Sequence, residues 1–343
     1  MHIRKKILLR ADASNKIGIG HVMRSFALAQ AWKDMGIQVI FLCFEIPDQL
    51  EQLLKKENIK LIKFINKPIG STEDARLTGN LAHKLGIQWV IADGYDFKGD
   101  YQKFIKEQGL KLLIVDDYGH SDFYCANIIL NTGLDIYKRL YVNRAPDTQM
   151  LFGPTFISLR REFLEKDKWK KTIAKQGTKL LVTMGGADPE EATLKVIEAL
   201  IKSSNRFEVK VVIGPADASI NKLKATAGDS SVSILQNVEG MADLMAWADI
   251  GISAGGGTLA EMAYMGLPNI ILKTAENQIG SNLYEKKSGT SWYLGSATEV
   301  SKEQIRHCIE SLSVDFSKRQ EMSRKGQELI DGKGSQRILE FIL

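Results

Sequence analysis

Short apolar runs alternate with longer segments of helical period along the whole chain. The runs "KILLR", "QVIFLCF", "KLIKF", "QWVIAD", "KLLIVDD" and "NIILN" fall in the first half, and "KLLVTMGG", "EVKVVIG", "VSILQ", "IGISAG" and "NIILK" in the second. Continuous β-branched runs bounded by polar turn residues mark strands covered on both faces, because neither face then needs polar side chains. Strands that alternate with helices join most simply into parallel sheets flanked by helices. The pattern predicts an α/β chain of two Rossmann-like domains, residues 1–153 and 179–343. Between them, 154–178 follows the punctuation Gly153-Pro154 and holds the charged piece "KDKWKK", which reads as a linker with a solvated face. From about residue 301 the pattern is helical and breaks at "DGKGS". The apolar ending "ILEFIL" predicts a last helix that packs back on the first domain.

With 343 residues there is enough chain for two cores. Apolar content of 44% and charged content of 25% are those of a soluble globular protein. The net charge of +5, from 46 basic and 41 acidic residues, is too mild and too scattered for nucleic acid and fits an anionic small molecule. Three distant cysteines, Cys43, Cys125 and Cys308, make neither a disulfide framework nor a CxxC metal site, so a reducing cytoplasm is the expected compartment. No apolar run reaches membrane-spanning length, and the first one, "ILL", is too short for a secretory signal. The five histidines are scattered, and no bound metal or other cofactor is expected.

In open α/β sheets ligands bind beyond the carboxyl ends of the strands. Polar residues gather there in the first half: Ala11 to His21 after "KILLR", then Asp93, Gly94, Tyr95 and Asp96, then Asp116 and Asp117, then Asn131. Asp, Asn and Gly at such places are also common turn and cap residues. His21 differs, because the helix it opens already has a packing face in Val22, Phe26 and Ala29. At a helix N-terminus the dipole disfavours imidazolium, which leaves the ring available as a base. Gly18 and Gly20 would let a ligand approach the backbone closely. Met23 stands where a dinucleotide fingerprint would carry its third glycine.

The second half has two glycine-rich loops. Gly185-Gly186 follows a strand and precedes Asp188-Pro189, a helix start. Gly255, Gly256 and Gly257 lie between a strand and a helix beginning near Thr258, where free N–H groups and the helix dipole suit a diphosphate. Glu261, in the first turn, could accept both hydroxyls of a ribose. Neither loop has the GxxxxGK[ST] form.

Together these segments resemble GT-B-type nucleotide-sugar enzymes, whose two Rossmann-like domains flank a cleft. "SAGGGTLAEMAYMGLPNIILKTAENQIGSN" is similar to the UDP-binding half of MurG-type N-acetylglucosaminyltransferases. "RADASNKIGIGHVMRSFALA", with "ADGYD", "MGGADP", "AENQ" and "DGKGSQRI", resembles the UDP-2,4-diacetamido-2,4,6-trideoxy-β-L-altropyranose hydrolases of the pseudaminic acid pathway. That family includes similar proteins of Bacillus spore-coat polysaccharide clusters. The resemblance covers nearly the whole chain, and "GIGHVMR" is its strongest motif. It implies His21, Tyr95 and Asn277 as catalytic residues and Glu261 as the ribose ligand. It further implies Gly255 to Thr258, with Gly186, as phosphate donors, Gln278 as a substrate contact, and Asn237 and Val238 at the uracil. Gly94 departs from the family pattern, which has a bulkier polar residue on that wall of the sugar site.

Hydrolysis of such a substrate needs charge neutralisation of a leaving UDP, for which backbone donors and Arg24 are candidates. It also needs a base for water, and His21 fits. Asp12, Asp93 and Asp117 are equal candidates to orient the imidazole. Two other readings stand beside the hydrolase: a glycosyltransferase on the same scaffold, and a nucleotide-sugar-binding protein without catalysis. A transferase with a lipid acceptor would need a membrane-facing apolar patch in the first half, and no exposed aromatic or basic–apolar segment stands out there.

Overall fold

The structure, a computed structural model, describes residues 5–14, 17–64, 68–136, 138–167, 169–186, 188, 191–201, 206–214, 219–275, 278 and 280–343. It divides into two compact units, residues 1–161 with 332–343, and residues 162–331.

The first unit runs β1 (Lys6–Ala11), α1 (Gly20–Asp34), β2 (Gln38–Cys43), α2 (Asp48–Lys56), β3 (Lys60–Lys63), α3 (Thr72–Leu85) and β4 (Trp89–Asp93). It continues with α4 (Gly99–Glu107), β5 (Lys111–Val115), β6 (Ile128–Asn131) and β7 (Gln149–Phe152). All seven strands are parallel, in the order β3-β2-β1-β4-β5-β6-β7. The continuous apolar runs follow from burial on both faces. Ile7, Leu9, Val39, Phe41, Ile91 and Leu113 enter one core, while their chain neighbours Leu8, Ile40, Val90 and Leu112 enter the other.

The chain leaves this unit through α5 (Arg161–Leu164), a single turn. The second unit runs β8 (Lys179–Thr183), α6 (Ala192–Ile201), β9 (Glu208–Ile213), α7 (Ile220–Ala227), β10 (Val232–Gln236) and α8 (Met241–Trp247). Then come β11 (Ile250–Ser253), α9 (Thr258–Tyr264), β12 (Asn269–Lys273), β13 (Ser291–Ser296), α10 (Lys302–Val314) and α11 (Phe316–Leu329). Its six parallel strands are ordered β10-β9-β8-β11-β12-β13. In both sheets the order reverses beside the first strand, between β1 and β4 and between β8 and β11. That reversal is where an open sheet presents a crevice at its carboxyl edge.

The last helix, α12 (Gly334–Ile342), belongs to the first unit. Ile338 and Ile342 join the core beneath α1, and the Trp32 indole donates to the Ser335 carbonyl at 2.8 Å. The expected linker over 154–178 is replaced by structure on both sides of the crossing. Residues 154–156 form a 3-10 turn of the first unit. Beyond the crossing Phe163 is fully buried, the Trp169 indole donates to Met265 O at 3.2 Å, and Gly177 N donates to Ser313 O at 2.8 Å. Lys171, in the charged piece read as a solvated face, is instead half-buried against the end of α8, donating to Ala246 O at 2.7 Å, and its desolvation there pushes its pKa down to about 8. The apolar pattern missed two strands, β7 and β13, each at a sheet edge. Their half-exposed burial lacks the continuous apolar signature, and β13 also carries a register shift.

Candidate active site

In the first unit, β1 ends at Ala11 in register with Asp93, the last residue of β4. The segment between Ala11 and α1 turns back at Gly18, whose φ of +81° favours glycine and whose N–H donates to Ser14 O at 2.8 Å. Gly20 then begins α1, with no atom within 4 Å of where a Cβ would stand. His21, Arg24 and Ser25 have the i, i+3, i+4 spacing of one helical face, and all three meet Asp93.

His21 Nδ1 lies 2.7 Å from Asp93 Oδ1. Arg24 donates to Asp93 through Nε at 2.9 Å and Nη2 at 2.8 Å, and the Ser25 hydroxyl donates at 3.4 Å. Asp93 is fully buried. Burial alone would raise its pKa, but the positive charge of Arg24 and the His21 contact outweigh this and hold it well below the usual carboxylate range. An ionised carboxylate only accepts, so the imidazole proton of the neutral ring sits on Nδ1 and Nε2 keeps its lone pair. Of the three carboxylates that local sequence left open, Asp93 is the one that orients the ring.

Asp12 is used inside the fold. It pairs with the buried Arg10, and its other oxygen accepts from Phe44 N at 2.6 Å and Glu45 N at 3.0 Å. Arg10 also binds Asp74 through Nη2 at 2.9 Å. Both Asp12 oxygens thus hold the β1 and β2 ends together, and neither meets the His21 ring. Arg24, a candidate to neutralise a leaving UDP, also has intramolecular partners. Its guanidinium also donates to Asp117, from Nη1 at 2.7 Å, so its charge is matched by two carboxylates before any phosphate arrives.

Tyr95 completes the cluster. Its phenol donates to Asp117 Oδ2 at 2.8 Å, and its ring meets the His21 ring edge-on at 4.6 Å between centroids. Tyr118 packs on Tyr95 at 4.8 Å. Behind it, Asp116 accepts from Tyr118 N at 2.8 Å, from Gly119 N at 2.7 Å and from the Tyr124 hydroxyl, which secures the turn that carries Asp117. Gly94 has a packing cause, since a Cβ there would stand 2.9 Å from the Phe97 ring. Asn131 binds the Tyr141 hydroxyl and Gly133 N and serves the fold. Sequence reasoning named His21, Asp93 and Tyr95 but missed Ser25 and the double role of Arg24. The i, i+3, i+4 spacing was the available signal.

In the second unit, the loops after the strands line the same kind of edge. Gly255 N donates to Gln278 Oε1 at 3.0 Å, and Thr274 N donates to the same oxygen at 2.9 Å. Gln278 thus latches the loop after β12 to the loop after β11. A Cβ on Gly255 would stand 2.6 Å from Ser281 Cβ, while Gly256 and Gly257 have open space around them. The first turn of α9 has no side-chain cap, and Glu261 lies one turn beyond Gly257 on the same face. After β8, Gly185 is exposed with φ +87°, Gly186 is half-buried, and Asp188 caps α6 by accepting from Ala192 N and Thr193 N at 2.9 and 2.7 Å. Asn237 turns the chain after β10 with φ +56°, and Val238 beside it is half-buried. Asn277 lies outside the described residues. Among the described residues no group of three or more His, Cys, Asp or Glu could hold a metal ion.

Residues 169–337 match the family model of the glycosyltransferase family 28 C-terminal domain. Among curated proteins, the chain is 26% identical over 345 residues to MJ1062 of Methanocaldococcus jannaschii, covering 98% of this chain and 66% of that one. It is 25% identical over 340 residues to the spore coat polysaccharide biosynthesis protein SpsG of Bacillus subtilis, covering 97% and 96% of the two chains. It is 24% identical over 247 residues to the UDP-2,4-diacetamido-2,4,6-trideoxy-β-L-altropyranose hydrolase of Campylobacter jejuni, covering 70% and 81%. Among solved structures, Acinetobacter baumannii MurG aligns with a TM-score of 0.66 at 15% identity over 98% of this chain and 99% of that one. Anabaena Alr3699/HepE in complex with UDP-glucose aligns with a TM-score of 0.66 at 14% identity, with the same coverage. The fold is that of the GT-B enzymes, two Rossmann-like α/β units.

Proposed function

We propose that the chain hydrolyses a UDP-linked 2,4-diacetamido-2,4,6-trideoxy hexose to UDP and the free sugar. The observation that carries this reading is the His21–Asp93 pair at the carboxyl edge of the first sheet, which leaves Nε2 of His21 without a hydrogen-bond partner among the described residues. In the reaction, Nε2 takes a proton from water as the water oxygen bonds to the anomeric carbon. The bond from that carbon to the β-phosphate-bearing oxygen breaks, and its electron pair leaves with UDP. Asp93 fixes the ring and balances the imidazolium that forms, as an orienting carboxylate does in other base-assisted sites.

The second unit takes the nucleotide in this reading. Backbone N–H groups from Gly255 to Thr258 meet the diphosphate, Glu261 accepts from the ribose hydroxyls, and Asn237 and Val238 border the uracil. The names of the Campylobacter and Bacillus relatives, and the match to the glycosyltransferase family 28 C-terminal domain, support this division of labour. Asn277 is carried in the proposal from the sequence resemblance. The reducing cytoplasm is the proposed compartment.

One observation favours a transferase instead. Phe123, Leu140 and Val142 are exposed at 42, 39 and 71%, next to Lys138 and Arg139 on the 3-10 turn Lys138–Tyr141. The bridge between Tyr124 and Arg144 brings these segments together, and Leu140 packs at Gly119, two residues from Asp117. Sequence reading found no such basic–apolar surface, because its members come from two separate segments. A single assay separates the readings: purified protein with the UDP-diacetamido sugar and no acceptor, with UDP release followed in time. Release without acceptor supports the hydrolase, release only with acceptor supports the transferase, and binding without turnover supports a binding protein.

A further inference from the structure

Arg24 is one cation held between two carboxylates. It binds Asp93 through Nε and Nη2 and Asp117 through Nη1 and Nη2, and the Asp117 side chain is 29% exposed. The three side chains together carry one net negative charge, and Asp93 is the member that touches the His21 ring. If Arg24 paired with Asp93 alone, the pair would be neutral and would offer little support to a positive ring. Sharing the guanidinium changes that balance.

We propose that Asp117 is a positioning residue that acts through Arg24, drawing part of the guanidinium charge so that Asp93 stays negative enough to support an imidazolium at His21. This rests on the reading of His21 as the base and adds to it a residue that does not touch the ring. Among the described residues, the charged and titratable groups that meet His21 or its partners are Asp93 at the end of β4, Arg24 on α1, Tyr95 after β4 and, behind Arg24, Asp117 after β5. Asp12, after β1, is paired with Arg10. The Tyr95 phenol donates to Asp117, so Asp117 also holds the ring that packs edge-on against His21. Charge and position are separable: removing the carboxylate charge alters both, whereas removing the phenol hydroxyl leaves the Asp117 charge in place.

The test follows the His21 ring proton by NMR as pH is varied, in the whole chain, with the resonance assigned by its loss in His21→Gln. In Asp117→Asn, which keeps an oxygen for Arg24, the titration midpoint should fall by roughly 0.5–1 pH unit, the size of a unit charge removed at a partly solvated site. In Tyr95→Phe it should move much less, and in Asp117→Glu it should return towards wild type. An unchanged midpoint in Asp117→Asn, or equal shifts in Asp117→Asn and Asp117→Glu, would overturn the proposal. If Asp117→Asn does not fold, Asp117→Ser takes its place with the same expected shift and the same overturning results. The titration uses no substrate, so a wild-type protein that released no UDP would overturn the hydrolase reading and leave this result standing.

Discussion

His21 Nδ1 and Asp93 Oδ1 stand 2.7 Å apart although 72 residues separate them in the chain. The contact exists because β1 and β4 are neighbours and the helix that follows β1 starts above the end of β4. Asp93 spends both oxygens on His21, Arg24 and Ser25, so the ring is held from a rigid strand end rather than from a loop.

Replacing His21 by alanine should lower turnover by about two to four powers of ten, the usual size for loss of a general base. UDP affinity should stay close to wild type, since the nucleotide is assigned to the other unit. The checks are UDP release and calorimetric titration with UDP. A variant that turns over at the wild-type rate would place the base elsewhere.

The glycines after β11 should separate by role. Gly255→Ala forces a Cβ to 2.6 Å from Ser281 Cβ and should cost about 1–3 kcal/mol of stability. Gly256→Ala meets nothing within 4 Å and should melt like wild type, yet bind UDP on the order of tenfold more weakly if phosphate sits there. Denaturant unfolding and UDP titration read the two effects. Equal UDP affinity in Gly256→Ala would remove the phosphate from this loop.

Glu261→Gln should weaken UDP by roughly 10–100-fold, the scale of hydrogen bonds to a charged acceptor. The same change should hardly affect a UDP analogue lacking both ribose hydroxyls. If the two ligands lose affinity equally, Glu261 does not read the ribose.

Burial alone would raise the Asp116 pKa, but His120, the Tyr124 hydroxyl and the Gly119 N–H hold it well below the usual range. A depressed carboxyl contributes stability that is present above its unfolded value of about 4 and lost as pH falls below it. Asp116→Ala should therefore destabilise the protein by about 2–4 kcal/mol at pH 7, with the difference from wild type shrinking below pH 4. Urea unfolding at both pH values tests this, and a pH-independent difference would contradict it.

If Phe123, Leu140 and Val142 contact a lipid surface, the protein should float with vesicles rich in anionic phosphatidylglycerol and release at high salt. Val142→Asp should abolish flotation without changing the melting temperature. No flotation of the wild-type protein would remove the one observation behind the transferase reading.

Local pattern determined the architecture to a large extent. Strands buried on both faces leave continuous apolar runs, so β1, β2, β4, β5, β6, β8, β11 and β12 were all legible and implied two parallel sheets. The edge strands β7 and β13 were not, since half-exposed burial leaves a weaker signature. The unit boundary was also out of reach. Trp169 and Lys171 look like linker residues by composition, and only their buried partners place them in the second unit. His21 stood out in sequence because its helix already had a packing face. Its partner did not, because Asp12, Asp93 and Asp117 all follow apolar strands and look alike locally. Strand order and side-chain pairing separate them: Asp12 goes to Arg10, Asp93 to His21, and Asp117 to Arg24 and Tyr95. The choice among equivalent carboxylates is made by which strand lies beside which, and that is a property of the folded sheet rather than of any local stretch of chain.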